Sequence, residues 1–447
     1  MNNKILFNKF TIGLFWNGIF YIVYKILFLS LSITLYYKLD TYFFSQWALI
    51  NSFVFIVVLW LDCGFKKSIP RYYPLFVQTQ KSHSFFIKTL ITFQTFFLVI
   101  IGTPLIWIIT QKVTGLKIFT VLIFGLFLTE GLIALLRILY HAHFWHKQFN
   151  SLHTFFIFLE TVFNFYLITL AMDQLRLITY LLFSKIIFGI FIIATSLFSF
   201  SQMYKATVYT NNAFVDTKTA MHNFIKHSLY MWASTFIKSL SERNVLFPYI
   251  TYTLGASVGN LFKVTYDSAL FLQRIALKTI GTSDSSLLGY LEEDVHKTIK
   301  LQETFMQLLQ KITIISIPLV SISFFANYYP TYFYIEHDCV KLFFIIVFGY
   351  IVELLLSPFE RVLESKFEYK LLWIAYTPYL ICLWALLTFE ALKQSSLTFF
   401  IFSIQIFRII SSLLMTYCAQ KNYNLSIPSW FIAYICTIIC ILGVFFW

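Results

Sequence analysis

Eleven basic side chains interrupt otherwise apolar stretches of this chain: Lys25, Lys88, Arg137, Lys185, Lys238, Arg243, Lys263, Arg274, Lys278, Lys311 and Arg408. A charge at the centre of a membrane-spanning helix costs about 2.5–3.5 kcal/mol on insertion scales, so each one needs the membrane surface, a partner or a wet cavity. Lys88, Lys278 and Lys311 stand near the ends of their stretches and can snorkel to the headgroups; Arg137 is one turn from its end. Lys25, Lys185, Lys238, Arg243, Arg274 and Arg408 lie deeper. The acids in the same stretches are Glu130, Glu160, Glu242, Asp267 and Glu353, with Glu390 at an end. Residues four or seven apart share a helix face, which makes four pairings available: Lys238 with Glu242, Lys263 with Asp267, Asp267 with Arg274, and Glu130 with Arg137. Lys25, Lys185 and Arg408 have no acid within reach on their own helices, and Arg243 has only an adjacent one that points elsewhere. Surplus positive charge of this kind suits an anion, because Arg offers phosphate a fork of donors and Lys a point charge. The expected substrate-binding residues are Lys25, Lys238, Arg243 and Arg274, followed by Lys185 and Arg408. Asp267 and Glu353 are expected to form ion pairs or to bind a coupling cation, H+ or Na+.

These charges must be positioned by membrane helices. The chain has 447 residues, 59% hydrophobic and 12% charged, half the charge of a soluble protein. Thirteen apolar stretches of spanning length can be read at 12–35, 42–61, 85–110, 117–140, 152–172, 176–200, 227–250, 258–282, 304–326, 340–358, 370–389, 397–418 and 428–447. The first is too long for a signal peptide and no small-residue cleavage site follows it. Alternating the loops between two sides puts sixteen Lys and Arg on the side of the N-terminus and six on the other, which predicts a cytoplasmic N-terminus in a cell inner membrane. The predicted external loops are too short for a catalytic domain. The segment 201–226 reads as a cytoplasmic connector between an N-terminal lobe of six helices at 1–200 and a C-terminal lobe of six at 227–418, with an additional span in 419–447. Six scattered Cys show neither a disulfide framework nor a zinc spacing.

Two stretches carry a family resemblance. LDCGFKKSIPRYYP, residues 61–74, resembles the Asp-aromatic-Gly turn and following Arg-Tyr pair of polysaccharide flippases: Asp62, Gly64, Arg71 and Tyr72 match, and Cys63 replaces the aromatic. YTLGASVGNLFKVTYDSA, residues 252–269, looks like their tight external turn between helices seven and eight, with Gly255 and Gly259 at the matching positions. The chain thus resembles the multidrug/oligosaccharidyl-lipid/polysaccharide exporter (MOP) superfamily, and within it the O-antigen, Wzx-type flippase branch. The resemblance implies an all-α integral membrane protein of 12–14 spans, with two pseudo-symmetric bundles of six helices plus an extra C-terminal helix. It also implies alternating access, with an isoprenoid pyrophosphate-linked oligosaccharide as substrate and glycan polymerase or glycosyltransferase machinery as partners. Lipid II flippases carry basic residues on helices one, two and eight. Lys25 and Arg274 fit that arrangement, but span two has no basic residue before Lys66.

HAHFWH at 141–146 invites a metal reading, yet no Cys or carboxylate lies close in sequence, and an interfacial His and aromatic belt is expected. EEDVHK at 292–297 and FERVLESKFEYK at 359–370 read as solvated, charged boundary segments. No phosphate-cradling glycine loop, catalytic triad or zinc signature occurs, so neither an enzyme nor a cofactor is expected, nor a nucleic-acid partner. Two rivals remain: a cation-coupled multidrug extruder, which would want acids on the first helix, and a membrane glycan polymerase or ligase, which would need a large external loop.

Overall fold

The computed structural model describes residues 3–76, 80–113, 115–143, 145–170, 172–205, 217–240, 242–280, 337–365, 368–388, 397–423 and 427–444. The described residues form helices and no strand, which is how an apolar chain satisfies its backbone within lipid. Among the described residues, six helical stretches are long and apolar enough to cross a membrane: Thr41–Trp60, Ser82–Lys112, Lys117–Tyr140, Lys147–Thr169, Gln174–Tyr204 and Leu397–Tyr423. The chain is a multi-pass membrane protein. The expected span at 304–326 and the acidic segment 292–297 lie outside the described residues.

In order, the helices are α1 (Asn3–Lys38), α2 (Thr41–Trp60), α3 (Phe65–Phe76), α4 (Gln80–Phe96), α5 (Thr103–Lys112), α6 (Thr120–Ala142), α7 (His146–Thr169), α8 (Gln174–Lys205), α9 (Thr217–Ser239), α10 (Arg243–Leu254), α11 (Ala256–Ile280), α12 (His337–Ser365), α13 (Tyr369–Thr388), α14 (Leu397–Tyr423) and α15 (Ser429–Val444). They cluster into two compact units, one ending at Thr251 and the other beginning at Tyr252. That division falls within α10, beyond the segment 201–226.

In the first unit α1 packs on α7, α6 and α7 pack on α8, and α3 packs on α9. Asp40 caps α2 by accepting from the Phe43 N–H at 2.9 Å, as a short acidic side chain does at an N-cap. A π-helical turn, Phe97–Gly102, joins α4 to α5, so the stretch expected as one regular span at 85–110 has a widened middle. The stretch 227–250 was expected to run unbroken, but α9 ends at Ser239 and α10 starts at Arg243. Lys238, Glu242 and Arg243 stand at this break, and Pro248 lies within α10.

The turn between α2 and α3 explains the Asp62 to Gly64 pattern. Cys63 and Gly64 both adopt positive φ, 51° and 75°. A Cβ on Gly64 would sit 2.1 Å from the Ser228 carbonyl oxygen on α9, so glycine is required for both conformation and contact. Gln94 donates to the Leu61 carbonyl at 3.0 Å, Trp232 donates its indole N–H to the Trp60 carbonyl, and Trp60 donates to Ser239 Oγ at 2.8 Å. The turn is therefore held to α4 and α9 by hydrogen bonds. Tyr72 follows on α3 with its ring against Phe224 and His227 of α9; Arg71 is on the same helix, its side chain outside the described residues.

In the second unit α12 packs on α11 and α14, and α13 packs on α14. Gly349 lets α12 approach α14, since a Cβ there would fall 2.0 Å from Gln405 Oε1. Tyr376 of α13 donates to Glu360 of α12 at 2.6 Å, and Tyr423 of α14 donates to Glu368 at 2.8 Å. The charged 359–370 segment is thus partly tied to tyrosines of neighbouring helices.

Candidate functional site

Each unit buries its own polar cluster. In the first, α8 presents Lys185, whose Nζ lies 3.2 Å from Glu130 Oε1 on α6 and donates to Asn51 Oδ1 on α2 at 3.0 Å. Asn51 is oriented by donating its amide to the Trp47 carbonyl at 2.8 Å. Glu160 of α7 and Tyr24 of α1 lie within electrostatic range of the same ammonium. Arg137, two turns beyond Glu130 on α6, donates to His153 Nε2 of α7 at 3.0 Å and covers the Phe149 ring at 5.6 Å. Because guanidinium only donates, His153 accepts at Nε2 and carries its proton on Nδ1. The His153 ring meets Tyr24 at 5.6 Å, which brings α1 into the cluster. Lys25, next in sequence, has its Nζ 5.2 Å from the Tyr24 ring and 5.3 Å from the Phe28 ring.

Five helices thus converge on a group with acids Glu130 and Glu160 and cations Lys185 and Arg137. This corrects one expectation: Glu130 pairs with Lys185 rather than with Arg137, seven residues along its own helix. Lys185, with no acid on its own helix, finds one on another. Spacing along one helix carries no signal for such a pair.

Lys238 occupies the last turn of α9, where the carbonyl end of a helix favours a cation. Arg243 opens α10 and donates from Nε to Asn244 Oδ1 at 2.8 Å, with Nη2 on the same oxygen.

The second unit places Lys263 and Asp267 on α11 2.8 Å apart, with side chains only 2% and 6% exposed. Arg408 of α14 lies 3.6 Å from Glu353 of α12, at 8% and 16% exposure. Its guanidinium carbon is 4.5 Å from the Tyr350 ring centroid, and Nη2 donates to Tyr266 Oη at 3.4 Å. Tyr350 donates in turn to Tyr266. Arg408 is thus another residue whose acid comes from a neighbouring helix, and Asp267 is engaged by Lys263. Arg274 belongs to α11, its side chain outside the described residues. Gly255 makes the α10–α11 turn with φ 94°, and no atom of the described residues lies within 4 Å of where a Cβ would stand. Gly259 lies inside α11, its N–H bonded to the Gly255 carbonyl at 3.1 Å.

At the α6–α7 junction, His143 donates from Nδ1 to the Leu139 carbonyl at 2.7 Å and stacks on Trp145 at 4.3 Å. Tyr73 and His83 lie at 4.4 and 5.3 Å. Burial lowers the His143 pKa from 6.5 to about 3, so the ring is neutral. The side chains of His141 and His146 lie outside the described residues.

No family model and no curated protein matches this chain by sequence. Solved structures do match in shape. An outward-facing multidrug resistance MATE family transporter of the MOP superfamily aligns over 93% of this chain and 96% of its own, with a TM-score of 0.63 and 13% identity. The fold is that of the MATE transporters. A MATE in complex with MaL6 gives a TM-score of 0.61 at 13% identity over the same shares of the two chains. A MOP superfamily transporter from Pyrococcus furiosus, described as having a binding pocket of reverse polarity that suggests a different function, gives 0.56 at 12% identity, again over 93% and 96%.

Proposed function

We propose that the chain is a non-enzymatic flippase that moves an isoprenoid pyrophosphate-linked oligosaccharide across a cell inner membrane by alternating access, for polysaccharide or lipopolysaccharide synthesis. The MATE-type fold supports a transporter. The observation that carries the substrate class is the set of basic residues set into helices: Lys25 on α1, Lys238 and Arg243 flanking the α9–α10 break, and Arg274 on α11. Breaks in spanning helices are where transporters hold ligands and ions, and a break carrying Lys238 and Arg243 against one acid, Glu242, has a net positive charge that suits an anion.

Lys185 and Arg408 stand behind these four, and each is opposed by a carboxylate, Glu130 and Glu353. Asp267 and Glu353 serve as resting counter-ions that a coupling H+ or Na+ would compete for. The same reading keeps the N-terminus cytoplasmic, 201–226 as the connector between lobes, and glycan polymerase or glycosyltransferase machinery as partners. The Pyrococcus furiosus neighbour, described as having a binding pocket of reverse polarity, is a precedent within this fold for a change in pocket polarity.

The test is export of lipid-linked glycan in reconstituted vesicles. Lys25→Gln and Arg243→Gln are each expected to abolish export while the protein still inserts. Unchanged export in both variants would overturn the assignment. A second reading, a cation-coupled multidrug extruder, draws on the description of the neighbour with the 0.63 score; ion-driven efflux of a cationic dye that survives Lys25→Gln would favour it.

A further inference from the structure

Arg137 differs from the other cations that the two polar clusters hold in ion pairs. Lys185, Lys263 and Arg408 each stand against an acid, at 3.2, 2.8 and 3.6 Å. Arg137 has instead a neutral imidazole, His153, at 3.0 Å and the Phe149 ring at 5.6 Å, and no carboxylate of the described residues is within ion-pair distance of it. A guanidinium carries five N–H donors, and the bond to His153 uses Nη2 alone. The remaining edge of a half-buried side chain keeps its donors and its full charge.

Snorkelling to the headgroups does not account for that charge. Arg137 is five residues from the end of α6, whereas His153 lies seven residues inside α7, which turns back beside it. At about 1.5 Å per residue the guanidinium reaches toward a partner about 10 Å from its helix end, deeper than the Arg137 Cα at about 7–8 Å. The Cα–Cβ bond of a helical residue tilts toward the helix N-terminus, which on α6 is the direction into the span. Further cations border the same place. The His153 ring meets Tyr24, and Lys25 Nζ is 5.2 Å from that Tyr24 ring. Lys185 is within electrostatic range of both Tyr24 and His153. Against Arg137, Lys25 and Lys185 stand the acids Glu130 and Glu160, and Glu130 is taken by Lys185, so the patch is net positive. Arg137 brings to it a planar fork already fixed on two sides, the form of donor that suits a phosphate group.

We infer that Arg137 is an oxyanion-binding residue, taking a phosphate group of the substrate's diphosphate on the guanidinium edge that His153 leaves open, and that His153 is the positioning residue that fixes this edge. The inference rests on the flippase reading above and adds to it a residue of α6.

Binding of radiolabelled farnesyl diphosphate to the full-length protein in phosphatidylcholine nanodiscs gives the test. The unsubstituted protein is expected to bind it, with inorganic pyrophosphate competing more weakly and farnesol not at all. Arg137→Gln should weaken binding about 10–100-fold, the loss of hydrogen bonds to a charged group. Arg137→Lys keeps the charge without the fork; it should fall between the two, and it carries the same test if the Gln variant does not fold. His153→Phe should weaken binding about tenfold, and His153→Gln, whose amide oxygen still accepts from Arg137, should restore most of it. A purely structural Arg137 would lower the unfolding midpoint of the ligand-free Arg137→Gln protein and leave its affinity for farnesyl diphosphate unchanged; that result overturns the inference while the flippase reading stands. No binding to the unsubstituted protein, or equal competition by farnesol, overturns both. Competition by phosphatidylglycerol as strong as by unlabelled farnesyl diphosphate would overturn the inference as well, and give the fork to a lipid headgroup.

Discussion

The buried ion pairs differ in how much they can contribute, and exposure decides it. Arg408 and Glu353 are 8% and 16% exposed, whereas Lys185 and Glu130 are 29% and 36% exposed. Removing one partner of a well-buried pair leaves an uncompensated charge at a cost of about 3–5 kcal/mol, and that cost falls as a pair opens to its surroundings. Glu353→Gln is therefore expected to lower the thermal unfolding midpoint in detergent far more than Glu130→Gln, and Glu353→Gln with Arg408→Gln together should recover much of the loss. Equal shifts in the two single variants would contradict this ranking. His143 gives a pH signature. Unfolded, it gains a proton near pH 6.5; folded, burial keeps it neutral down to about pH 3. The stability it contributes is present above pH 6.5 and is lost as pH falls from 6.5 toward 3. A His143→Phe protein should show a flatter decline in unfolding midpoint over that window than the unsubstituted one.

Among the elements, the α2–α3 turn is the one whose sequence pattern and structure agree most directly, because its glycine answers a local demand. A residue with a side chain in a left-handed conformation costs about 1–3 kcal/mol, and at Gly64 it would also collide with the Ser228 carbonyl, part of the α9 backbone. Gly64→Ala should destabilise the first unit by at least that strain, read as faster hydrogen exchange along α3 and α9. Helical membrane character was equally legible, since it depends only on composition and run length. The α9–α10 break was not: Leu240 to Glu242 sits in an apolar stretch without a proline or glycine, and Pro248 follows the break instead of making it. Nor were the Lys185–Glu130 and Arg408–Glu353 pairs, separated by 55 positions in each case and set by how helices pack. Lys263–Asp267 was legible as an available pair because one helical turn separates its members.

At the scale of the whole molecule, the net charge of +13 divides into a loop excess that orients the chain and a smaller set within helices, part of which is accounted for by acids on neighbouring helices. The first part makes a prediction that is independent of substrate. Lys112 closes α5 and Lys147 lies at the start of α7, both exposed, and the spanning helix α6 runs between them. If α6 crosses the bilayer once, the two positions face opposite compartments, and the basic-residue count puts Lys147 in the cytoplasm. In a background with the six native Cys replaced, Lys112→Cys should react with a membrane-impermeant maleimide applied to intact cells, and Lys147→Cys should react only after the membrane is opened. The reverse result would invert the chain. Reaction of both from outside would mean that α6 does not span, and with it the alternation on which the count of sixteen against six was built.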